Sequence, residues 1–196
     1  MRPSRRVLAL LLAVQIAGCG WKVIPPPLPQ APHPVRLVAE RALLKVSGAA
    51  IAWGSSGLGE TVRDVLVASG TFREVYYPIE PRNPPSLTLA MTARGTVEES
   101  EAIGTLKAVV IGLFLFLPVG LIRFDKTFHL DTDVVLRDRD RELGRFQISS
   151  DTEISFTMFS TMEDYEPAAR KAAFKDLGEH IAAQLSTLPP ITPPPS

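Results

Sequence analysis

Apolar and polar residues alternate most regularly between positions 124 and 158. Phe128, Leu130, Thr132, Val134 and Leu136 share one side of an extended chain. Phe146, Ile148 and Ser150 resume the alternation after a charged stretch, Asp138 to Leu143, and Gly144. A period of two with one apolar side predicts an antiparallel hairpin, one face on the core and one in water. Leu87, Leu89, Met91 and Ala93 show the same period and predict another strand. The apolar-rich stretch 36–53 and the short Phe72–Tyr77 read as further strands. The period changes to that of a helix in two places. Leu58, Val62, Val65 and Leu66 fall on one helical face, with Ser56 placed to cap the start and Gly70 to stop the end. Phe174, Leu177, Ile181, Leu185 and Leu188 form the stripe of a second helix, from about Glu163 to Leu188, with Pro167 read into its first turn. The prolines at 78, 81, 84 and 85 mark a loop. Strand, helix, strands, hairpin and helix in that order predict an α+β domain over 35–188: a mixed or antiparallel sheet with two packed helices.

One run breaks both periods. Ala108 to Ile122 holds fifteen residues without a charge, flanked by Lys107 and Arg123. As a helix it would reach about 22 Å, short of a hydrocarbon core of about 30 Å. Pro118, Gly112 and Gly120 interrupt it. The leading expectation is a membrane-contacting insert, with Val109, Val110, Ile111, Leu113, Phe114, Leu115, Phe116 and Leu117 in lipid and the two cations snorkelling to its surface. A buried core segment and a single membrane span remain open beside it.

The N-terminus adds a second membrane signal. Arg2, Arg5 and Arg6 precede Val7 to Gly18, whose one polar side chain is Gln15. That run has the length of a signal-peptide apolar region and is too short to span a bilayer. It ends in Ile16-Ala17-Gly18-Cys19, which resembles the bacterial lipobox over about the first twenty residues. The resemblance implies cleavage before Cys19 and acylation of its thiol. Cys19 is the one cysteine in the chain, so no internal disulfide can form, and lipidation would consume a thiol otherwise exposed to oxidation. Gly20 stands where an Asp commonly retains such lipoproteins at the inner membrane. The resemblance therefore points to the outer membrane, with the domain in the periplasm. Residues 24–34 carry six prolines, so 19–34 reads as a lipidated cysteine on an extended tether reaching up to ~45 Å. The proline-rich stretch 189–196 reads as a disordered tail.

Charge and chemistry narrow the function. The 21 basic and 21 acidic residues balance, but without the first eighteen residues 18 basic face 21 acidic. A mildly acidic body has no electrostatic footprint for nucleic acid. Gly54-Ser55-Ser56-Gly57-Leu58-Gly59-Glu60-Thr61 has phosphate-loop spacing, yet Glu60 holds the lysine position and would repel phosphate. Ser55 and Ser56 lack nucleophile-elbow spacing. His33, His129 and His180 match no metal pattern; His129 is expected on the solvent side of a strand and His180 on a solvated helix face with Asp176 and Glu179. Asp131, Asp133, Asp138 and Asp140 lack the glycine and glutamate of a calcium loop and read as solvated turn residues. No catalytic residue, cofactor or metal is therefore expected.

The stretch Ala68-Ser69-Gly70-Thr71-Phe72-Arg73-Glu74-Val75, a helix end followed by strands, resembles small envelope lipoproteins of the curli-secretion and synthase-activator kind, over about a third of the chain. Those pack helices on a mixed sheet and act through protein contacts. The apolar run at 108–122 departs from that pattern. The expectation is a non-enzymatic accessory or assembly subunit, held to a membrane by its lipid anchor and meeting an envelope protein partner. The alternative is a lipid-handling protein.

Overall fold

The computed structural model describes residues 20–24, 38–99, 123–157 and 160–188. Six strands form one sheet: β1 (Trp21–Ile24), β2 (Ala39–Ile51), β3 (Phe72–Tyr76), β4 (Leu87–Glu99), β5 (Arg123–Asp138) and β6 (Arg141–Thr157). Two helices accompany them, α1 (Leu58–Ala68) and α2 (Met162–Thr187). The spatial order is β1-β6-β5-β4-β2-β3. β2 runs parallel to both β3 and β4, and the remaining pairs are antiparallel. The fold is α+β with a mixed sheet, as the pattern of the sequence predicts.

The alternation decides which face is covered. Leu87, Leu89, Met91 and Ala93 on β4 are buried, as are Phe128, Leu130, Thr132, Val134 and Leu136 on β5 and Ile148 on β6. α1 contributes Leu58, Val62 and Leu66 to the same core, and α2 contributes Phe174, Leu177, Ile181 and Leu185. Both helices thus lie on one face of the sheet and leave the other open. They approach closely because Gly178 of α2 has no side chain: a Cβ there would lie 2.9 Å from Val65 Cβ on α1.

Several local expectations change. Helix α1 is preceded by Gly57 in the left-handed region (φ 82°), with no side-chain cap, so Ser56 does not cap it. Its C-terminal end does turn through Gly70 at φ 77°. The stretch Asp138 to Leu143 is mostly strand: only Arg139 and Asp140 form the turn, and Arg139 takes φ 53°. Cross-strand pairing of Arg137 with Glu142 and of Asp138 with Arg141 puts opposite charges side by side, which lets charged residues continue a solvated ladder. Asp131 and Asp133 likewise lie within β5 and not in a turn. Helix α2 starts earlier than Pro167 implies. The Asp164 carboxylate accepts from the Thr161 N–H (2.9 Å) and the Thr161 hydroxyl (2.8 Å), a capping box that leaves Pro167 inside the helix.

The largest difference is at the N-terminal side. Trp21–Ile24, read as tether, is an edge strand paired with β6 from Trp21↔Phe156 to Ile24↔Glu153. Four residues ahead of a proline run carry too little periodicity to announce a strand, but β6 offers a long unpaired edge for them. The proline-rich residues 25–34 lie outside the described residues. So do Cys19, the run 108–122 with all eight residues expected in lipid, and 189–196. Among the described residues, no helix is long and apolar enough to cross a membrane.

Gly178→Ala is expected to destabilise the protein by about 1–3 kcal/mol, because the new methyl collides with Val65. Helix propensity alone predicts a gain of about 1 kcal/mol for the same change. Urea unfolding of the two proteins separates these signs, and a stabilised variant would refute the close helix contact.

Candidate functional site

The open face of the sheet is polar. β4 presents Thr92, Arg94, Thr96 and Glu98; β5 presents Thr127, His129, Asp131 and Asp133; β6 presents Gln147, Ser149, Asp151 and Glu153. His129 is at its centre, paired across the strands with Thr96 on one side and Asp151 on the other. Its Nδ1 lies 2.7 Å from Asp151 Oδ1, and its Nε2 lies 3.4 Å from Glu98 Oε2. The first is a hydrogen bond; the second is a charge contact, and Nε2 is otherwise shielded. One imidazole therefore links β4, β5 and β6. The hydrogen bond to Asp151 raises the His129 pKa above its ordinary 6.5, and the charges of Asp151 and Glu98 add to the rise against partial burial. Beside it Ser149 donates to Asp131 Oδ1 at 2.6 Å.

A second polar group lies on the covered face. Asp176 of α2 is only 3% exposed. Its Oδ2 accepts from the Ser150 hydroxyl at 2.5 Å, and His180 Nδ1 stands 3.2 Å away. Helical spacing predicts a solvated face here; the structure instead turns Asp176 into the core beneath β6. Burial raises its pKa above 3.8, opposed by the Ser150 hydrogen bond and the charge of His180. Ser150, His180 and an acid are together, but in the wrong order for nucleophilic catalysis: the hydroxyl donates to the carboxylate, and the imidazole is hydrogen bonded at 3.0 Å to the Asp176 carbonyl. The group joins helix to sheet.

The remaining sequence candidates separate. The loop with phosphate-loop spacing offers no open cradle at Gly59, because the Tyr77 ring packs where its Cβ would be. A shallow groove of about 390 Å³ opens beside Leu43, Lys45, Glu80 and Arg139 and is mostly exposed to solvent. Among the described residues no cluster of His, Cys, Asp or Glu has the geometry of a metal site. The site that sequence reasoning missed is structural in another sense: the sheet end where β1 begins. Ser160 donates to the Gly20 carbonyl at 3.2 Å, and Trp21 pairs with Phe156, whose ring stacks on Tyr165 of α2 (centroids 4.9 Å apart). The Trp-Lys-Val-Ile alternation directly after Gly20 was its only signal in the sequence.

His129 gives a pH test. A folded-state pKa raised above 6.5 contributes stability that is complete below 6.5 and is lost as pH rises through the folded value. His129→Gln should remove this decline, at a cost of at most about 1 kcal/mol below pH 6. Urea midpoints measured across pH check it; parallel profiles for the two proteins would show that the clamp is inert. Asp176 has the opposite consequence. An acid whose folded pKa is raised destabilises the fold as pH rises through and above 3.8. Asp176→Asn should therefore gain stability at neutral pH, on the order of 1 kcal/mol, and converge on the wild type in acid.

No protein-family model matches the sequence, and no curated protein matches it. Solved structures to which the chain is similar include the following three. A minor lipoprotein from Acinetobacter baumannii is 14% identical with a TM-score of 0.48, covering 81% of this chain and 100% of its own. Lipoprotein B from Nitrosomonas europaea is 14% identical with a TM-score of 0.40, covering 77% and 86%. A protein from Xanthomonas campestris is 16% identical with a TM-score of 0.38, covering 79% and 86%. Two of the three are named as lipoproteins, but at such identities and TM-scores the likeness assigns no function to this chain.

Proposed function

We propose that the protein is a cell-envelope lipoprotein acylated on Cys19, working without catalysis as an accessory or assembly subunit that presents its α+β domain to an envelope protein. The observation that carries this reading is Ile16-Ala17-Gly18-Cys19 at the end of a short apolar run behind three arginines. The polar groups of the domain support the non-catalytic part. His129 is held between two carboxylates, and the Ser149 and Ser150 hydroxyls each donate to a carboxylate, so these groups are engaged in joining strands and helix. Gly20 in place of Asp favours the outer membrane, with the domain in the periplasm.

A second reading rests on the uncharged run 108–122, which favours lipid handling if it receives acyl chains in place of anchoring beside them. Lipid retained by protein purified without its own acyl group distinguishes that reading.

The anchor is tested by the mass of the N-terminal peptide of protein isolated from the envelope. The expected peptide begins at Cys19 and carries the added acyl mass. Cys19→Ser should retain residues 1–18 and lack that mass. A mature chain that begins elsewhere, or an unmodified Cys19, would refute the anchor.

A further inference from the structure

The register of the sheet fixes which residues share an end. Glu99 closes β4 opposite Lys126, Arg123 opens β5 opposite Thr157, and Trp21 opens β1 opposite Phe156. Phe124 in turn pairs with Phe156, so these strand termini belong to one end of the sheet within about three residues, roughly 10 Å. Helix α2 starts at the same end, since Ser160, just ahead of it, holds the Gly20 carbonyl. The β5–β6 turn at Arg139 and Asp140 lies at the opposite end, where Leu188, just past α2, packs against Gly144.

Two chain segments of membrane chemistry meet the sheet at the first end. Cys19 is separated from β1 by Gly20 alone. The sequence between Glu99 and Arg123 contains the uncharged run 108–122, and both of its attachment points are here. The exposed large apolar residues among those described are Trp21 (41%), Ile24 (37%), Val67 (40%), Ile79 (78%) and Met162 (49%). Ile79, just after β3, lies towards the opposite end, and three of the five belong to β1 and the start of α2. Trp21 opens β1 and Met162 opens α2, both at this end, with Ile24 three residues along β1. An indole beside a thiol that carries acyl chains has the amphipathic character of a headgroup-level anchor.

The geometry points to this sheet end, marked by Gly20, Trp21, Met162 and Arg123, as the face that seats on the phospholipid surface, with the β5–β6 turn directed away from it. The inference rests on the acylation of Cys19. It also reverses the role of the proline-rich stretch. Residues 25–37 connect β1 to β2, two strands of the same sheet, so they do not separate the lipid from the domain. The reach between Cys19 and the fold is one residue. Distance from the membrane comes from the fold itself: α2, with 26 residues, is about 39 Å long and runs from the lipid end to the far end.

The test uses the full lipidated protein reconstituted into phosphatidylethanolamine–phosphatidylglycerol vesicles whose acyl chains are brominated near the glycerol. The chain has two tryptophans, and Trp53 is buried against Phe128, so the difference between wild type and Trp21→Phe reports Trp21. Trp53→Phe gives the same reading without subtraction. Quenching of the Trp21 emission by about half is expected. A tryptophan placed at the turn, Asp140→Trp in the Trp21→Phe background, should remain unquenched and open to aqueous iodide. If the protein carries its acyl mass and floats with the vesicles while Trp21 stays open to iodide, the orientation is overturned and the anchor stands. If Trp21 is shielded from iodide without bromine quenching, protein covers this end and the orientation is likewise overturned. If no acyl mass is found, the anchor fails and the orientation falls with it.

Discussion

A sheet whose strands alternate between apolar and polar residues must have one face covered, and β4, β5 and β6 alternate over most of their length. The position of everything else follows from that requirement. α1 and α2 lie on the apolar face, and their stripes meet the inward residues of the central strands. Two helices can share this face side by side because Gly178 lets Val65 approach the α2 backbone. One inward polar residue is tied to the cover: Ser150 on β6 donates to Asp176 on α2. A buried carboxylate in such a place is expensive in free energy, and its hydrogen bond and the neighbouring His180 offset only part of the desolvation.

The opposite face needs no cover, so its side chains are free to carry charge. Opposed charges there act across strands. His129 bridges Asp151 and Glu98, and Arg137 faces Glu142. Each such contact is worth little on a solvated surface, but they suit a sheet that must keep one side in water. On this face Ser149 donates to Asp131, and on the covered face Ser150 donates to Asp176.

The long axis gives the molecule two unlike ends. At one, a short edge strand, the start of α2 and the flanks of an apolar segment converge; at the other, a two-residue turn with Arg139 at φ 53° closes the hairpin. β1 fixes the chain to its own sheet two residues after Cys19, so an acyl group on that thiol would leave the domain little freedom to tilt.

Much of this was legible locally. The alternation of Leu87 to Ala93 and of Phe128 to Leu136, the stripe from Phe174 to Leu185 and the stop at Gly70 are each set by neighbours a few residues apart, and each appears in the fold. The sequence alone also supplies the candidate anchor, since a lipobox is read as an extended peptide before any folding. Tertiary structure decided the rest, because it depends on partners far away in the chain. Trp21–Ile24 is a strand only because β6 has an edge to pair with it. Asp176 is buried, against its helical surroundings, because Ser150 comes to it from β6. The shared end of Cys19's neighbour Gly20, Glu99 and Arg123 is a matter of register between strands more than a hundred residues apart in places, and no local pattern encodes register across such distances.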